Sequence, residues 1–91
     1  MTVYVGVSMW PYRRWVMCHM FADTDEELEV MARKIGLSPS WRQKPRASIG
    51  PHYDIAESKR AQAIYHGAVA CDSISDEVNA FEKVKDFRNE T

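Results

Sequence analysis

At 91 residues the chain has enough interior for one core and too little for a second, so a single domain over residues 1–91 is expected. Its hydrophobic share of 45% and charged share of 27% match a folded globular chain and exclude disordered and collagen-like classes. The net charge of −1 excludes the dense basic face that duplex nucleic acid demands, but a small anion needs only a few cations.

Val3, Val5 and Val7 alternate with small or polar residues, as in a half-buried strand, and Val16 to Ala22 predicts a second strand. Between them, Trp10-Pro11-Tyr12-Arg13-Arg14 reads as a loop because proline interrupts the pattern. Thr24 with Glu27 forms a capping box, and Leu28, Met31, Ala32 and Ile35 recur at helical spacing up to Gly36, which predicts a helix over 25–35. Residues 38–51 hold Pro39, Pro45, Gly50 and Pro51 with Arg42, Lys44 and Arg46, and predict an exposed, mobile basic loop.

His52 to Ile55 predicts a short strand leading into a helix over 57–66, capped by Asp54 with Glu57 and burying Ala61, Ile64, Tyr65 and Ala68. Residues 68–71 predict a buried strand, and Ser75 caps a last helix over 75–88. The apolar residues of that helix, Val78, Phe81, Val84 and Phe87, drift around its surface. Loose packing or pairing with a second copy of the chain through this helix is expected. The order of elements predicts an α/β (α+β) fold, a small mixed sheet of about three or four strands with two or three packed helices.

Cys18 and Cys71 stand far apart among apolar neighbours, as buried free thiols of a reducing compartment do. The first residues lack a basic leader, and no run approaches the ~20 apolar residues of a membrane span. A cytoplasmic protein without a membrane partner is therefore expected.

Trp10-Pro11-Tyr12-Arg13, Cys18-His19, Ala22-Asp23, His52-Tyr53-Asp54 and Ser58-Lys59-Arg60-Ala61 follow one another in an order that resembles the domain of unknown function 4031. That family comprises short phage and bacterial proteins, and the likeness covers about residues 1–71. It implies a fold, a phage-like setting and the cytoplasm of a bacterial host, and it implies no activity. Family members often carry acidic residues after the first strand, where Gly6 and Val7 stand here. The resemblance thus implies that a role depending on those carboxylates is missing.

Bottom-up, the junction of His52, Tyr53, Asp54, Lys59 and Arg60 is the leading candidate site, because a helix start and two cations suit a phosphate. The plainer reading makes Asp54 a cap and Lys59 and Arg60 solvated surface charges. Arg13 and Arg14 can add to the anion contacts, and Trp10, Trp15, Trp41, Tyr12 and Tyr53 offer faces on which a nucleobase stacks. His19 shares strand parity with Met17 and Phe21 and is either a core-edge histidine or a neighbour of His52.

The function expected from these residues is non-catalytic binding of a phosphorylated, nucleotide-derived molecule, which in a phage-like setting sequesters a host defence signal. The alternatives are a hydrolase or nuclease using His19, His52 and Asp54, and an inhibitor of a host protein. A metal held by His19, Asp23, His52 and Asp54 is chemically permissible but lacks compact spacing, so no metal and no cofactor is expected.

Overall fold

The structure is a computed structural model that describes residues 2–7, 9–45 and 49–90. In chain order the elements are β1 (Val3–Val5), β2 (Trp10–Tyr12), β3 (Trp15–Ala22), α1 (Asp25–Lys34), a 3-10 turn (Pro39–Trp41), β4 (Arg42–Gln43), β5 (His52–Ala56), α2 (Glu57–Tyr65), β6 (Val69–Ala70) and α3 (Ile74–Glu90). The strands form one mixed sheet in the order β4-β5-β3-β1-β6, with β2 also paired to β3. Among the described residues only β1 and β6 run parallel. The fold class is as expected, but the sheet has six strands, more than the sequence suggested.

One extra strand is β2. Pro11 lies opposite Val16 in an antiparallel hairpin, and β2 pairs with β3 alone, so the missing proline N–H interrupts no second ladder. The turn is Arg13-Arg14, with Arg13 at φ 56 in the left-handed region. The other is β4, two residues long and paired with Tyr53 and His52. The stretch expected to be a mobile loop thus contains a 3-10 turn and a strand; Arg46 lies outside the described residues.

Side chains alternate along β3 and β5, and the two sheet faces differ. Val3, Val5, Cys18, Met20, Ala22, Tyr53 and Ile55 form one core with Leu28, Met31, Ala32 and Ile35 of α1 and Ala63 of α2. Thr24 caps α1: its Oγ1 accepts from the Glu27 backbone N–H and donates to Glu27 Oε1. The opposite face is covered at one end only, where Ala80 and Val84 of α3 pack on Phe21 and Cys71 with Tyr4 and Phe81 beside them. Ile74 and Val78 of α3 remain exposed.

Three helix expectations are corrected. The N-cap of α2 is Ala56, without a side-chain cap bond, so Asp54 does not cap the helix. Its buried residue is Ala63, whereas Tyr65 is 86% exposed and Ala61 and Ile64 also face outward. The stems of Lys59 and Arg60, half-buried beside Ala63, occupy the inner face that the apolar pattern assigned to Ile64 and Tyr65. In α3 the cap is Ser73, which accepts from the Asp76 N–H, and not Ser75.

Candidate functional site

The sheet face that α3 covers in part carries the chemistry. Antiparallel pairing sets His19 opposite Asp54 and Phe21 opposite His52, so both histidines and the aspartate project from the same side of adjacent strands. His19 Nε2 is 3.9 Å from Asp54 Oδ1, and His52 Nε2 is 3.6 Å from the same oxygen. The two imidazoles meet edge to face at 5.2 Å between centroids.

Each ring has an oxygen on its far side. His52 Nδ1 donates to the Gly50 carbonyl at 2.8 Å, and Nε2 faces Asp54. His19 Nδ1 lies 3.5 Å from Glu77 Oε2. Glu77 is a residue that sequence reasoning missed. It comes from α3, is 3% exposed, and its Oε1 accepts the Val7 backbone N–H.

Gly6 explains how Glu77 enters. A β-carbon on residue 6 would stand 2.1 Å from Glu77 Oε1, so the carboxylate occupies space that only glycine leaves free. β1 pairing gives out just beyond this point: Gly6 N still donates to His19 O, and pairing resumes at Trp10 opposite Met17. The Glu77 carboxylate, supplied by α3, thus lies where a side chain at residue 6 would begin.

Beside this cluster lies a cleft of about 650 Å³ whose lining includes Trp10, Tyr12, Trp15, Met17, Trp41 and Asp54. That volume falls within the range of small-molecule sites. It runs along β5 beyond the reach of β4, between the β2–β3 hairpin and the 3-10 turn. Trp10 joins cleft and cluster, with its ring 4.7 Å from that of His19. At the hairpin tip the Arg13 guanidinium lies 5.6 Å from the Tyr12 ring centre, and that of Arg14 lies 5.1 Å from the Trp15 ring centre.

The expected anion junction does not assemble as the sequence suggested. Lys59 lines the cleft, but its Nζ donates to the Ile35 carbonyl at 2.6 Å, closing the end of α1. Arg60 donates to the carbonyls of Gly6 at 2.9 Å and Cys71 at 3.4 Å. Both are half-buried structural ties, not solvated charges. Tyr53 points to the other face, where its hydroxyl donates to Glu29 at 3.1 Å. Asp23 does not join the histidines: it accepts the Thr2 N–H at 2.8 Å. Arg42 pairs with Asp25 and Glu29.

Neither thiol is poised as a nucleophile. Burial is the main cause that pushes Cys18 up to about 11, with Glu77 adding to it, and burial likewise raises Cys71.

A family model described as a protein of unknown function (DUF4031) matches residues 3–83. The match covers most of the chain, including α3 through Glu77, so the chain belongs to that family. Neither the curated proteins nor the solved structures provide a match. No helix among the described residues is long and apolar enough to cross a membrane.

Proposed function

We propose that this member of the DUF4031 family binds a phosphorylated, nucleotide-derived small molecule in the cleft beside β5. The observation that carries the reading is the cleft wall: Trp10, Tyr12, Trp15 and Trp41 line one concavity. Stacking on an aromatic face contributes ~1 to 3 kcal/mol per base, whichever base it is. With Lys59 and Arg60 tied to carbonyls, the phosphate is assigned to Arg13 and Arg14 at the rim, which are exposed and held against the cleft aromatics. In a phage-like setting, binding of this kind withdraws a host signalling nucleotide.

Calorimetry against mono-, di- and cyclic nucleotides tests the proposal. At least one should bind, and Trp10→Ala or Trp41→Ala should weaken it by about tenfold or more, the equivalent of ~1.4 kcal/mol. Failure of every nucleotide to bind would end this reading.

The convergence of His19, His52 and Asp54 favours a second reading, hydrolysis of a phosphoester. Asp54 takes the proton of a water whose oxygen attacks phosphorus, and His19 in its charged form gives a proton to the departing oxygen. Chromatography of the bound nucleotide after incubation separates the two readings: recovery of intact ligand supports binding alone, and a dephosphorylated or ring-opened product supports hydrolysis.

A further inference from the structure

We propose that His19, His52 and Asp54 form a mononuclear site for a divalent transition metal of the zinc class. One ligand atom from each residue lies within 4.8 Å of those from the others. The separations of 3.9 Å and 3.6 Å between imidazole nitrogens and Asp54 Oδ1 are too long for hydrogen bonds. They are close to the edge of about 3.4 Å that a tetrahedron of ligands ~2.0–2.1 Å from zinc requires. Asp54 Oδ1 is shut off from solvent and makes no hydrogen bond among the described residues. A shared cation accounts for ligand atoms that converge at these separations.

The surroundings fit as well. A metal-bound histidine typically donates its other N–H to a carboxylate or carbonyl, which fixes the tautomer and makes the ligand nitrogen more basic. His52 has the Gly50 carbonyl in that place, and on the corresponding side of His19 the Glu77 carboxylate stands 3.5 Å from Nδ1. Glu77 is thus a positioning residue: it holds His19 with Nε2 toward Asp54. Two nitrogens and one carboxylate oxygen leave a position for water or a phosphate oxygen. Asp54 also lines the aromatic cleft, which places the cluster beside it.

The proposal goes beyond nucleotide binding, because it makes the cluster end of the cleft attractive to phosphate where bare Asp54 repels it. It is tested without nucleotide. Tag-free, chelator-stripped protein is titrated with zinc alone by calorimetry, and with cobalt(II) alone by visible absorption. Wild type should take one equivalent and give the intense cobalt bands of a four-coordinate site. Asp54→Asn and His19→Gln should each lose zinc affinity by more than the ~10- to 100-fold expected of Glu77→Gln. Glu77→Gln should keep the cobalt band positions at higher metal concentration, which a merely structural Glu77 would not produce.

Far-UV circular dichroism checks that each variant is folded, and Asp54→Asn, nearly isosteric and partly exposed, serves if a histidine variant does not fold. The proposal is overturned if wild type takes up no stoichiometric zinc, if Asp54→Asn binds as wild type does, or if His66→Ala alone abolishes uptake. A protein that binds zinc but no nucleotide refutes only the earlier reading, and the converse refutes only this one.

Discussion

The placement of Glu77 rests on the smallest side chain in the molecule. With Glu77 Oε1 2.1 Å from where a residue-6 β-carbon would stand, Gly6→Ala must displace the carboxylate from Val7 and His19. Overpacking of this kind costs ~1 to 3 kcal/mol. Denaturant unfolding should show that loss for Gly6→Ala, and much less of it when the same change is made in Glu77→Ala, because the clash is then gone. Equal losses in both backgrounds would mean that the two residues do not share the space. Lys59 and Arg60 give a second residue-scale prediction. Each donates a charged hydrogen bond to a backbone carbonyl, a contact worth ~1.5 to 3 kcal/mol. The Lys59→Ala, Arg60→Ala double variant should therefore lower the unfolding midpoint measurably, where two solvated cations would leave it unchanged. Cys18, pushed up to about 11 by burial, should resist thiol reagents at neutral pH until denaturant is added.

Among the elements, α1 was the most legible in sequence because its signals are local and agree: a capping box, acidic residues at its start, basic residues at its end and one apolar stripe. Leu28→Ala should cost ~2 to 5 kcal/mol in chemical denaturation, since Leu28 is fully buried between α1 and the sheet. β3 and β5 were also legible by alternation, and with them the strand parity that puts His19 beside His52. Pro11 hid β2, because proline's tolerance depends on which strand edge it occupies, and that is known only once the sheet is assembled. The inner face of α2 was hidden for a related reason: Lys59 and Arg60 bury their stems while their heads reach carbonyls just beyond the ends of α1, β1 and β6. Glu77 left no local trace, since its partners Val7 and His19 are far away in sequence.

The docking of α3 adds a pH prediction at this scale. Arg88 bonds to Asp25 and to the Ala22 carbonyl, tying the end of α3 to the start of α1. The Arg88 hydrogen bond, with help from Arg42, holds Asp25 below the usual carboxylate range. A depressed folded value means stability that is present above the unfolded pKa of ~3.9 and lost as pH falls through the folded one. Wild type should therefore be slightly more stable than Asp25→Asn near neutrality, and the difference should vanish in strong acid. The effect is small because Asp25 is more than half exposed.

For the molecule as a whole, the proposed function rests on the unequal covering of two sheet faces. α1 and α2 seal one face into the main core, while α3 covers only one end of the other. The histidine–aspartate cluster lies at the border of α3, where Glu77 and Phe81 meet His19, with the aromatic cleft alongside. The most direct measurement is a nitrogen–proton correlation spectrum of the labelled protein, titrated with the tightest-binding nucleotide of the calorimetric panel. The indole N–H signals of Trp10, Trp15 and Trp41 should move together with the Asp54 amide and saturate at one equivalent, while residues on the exposed side of α1 stay still. Shifts centred on α1 around Val30 and Lys34, or no shift with any nucleotide, would contradict the account.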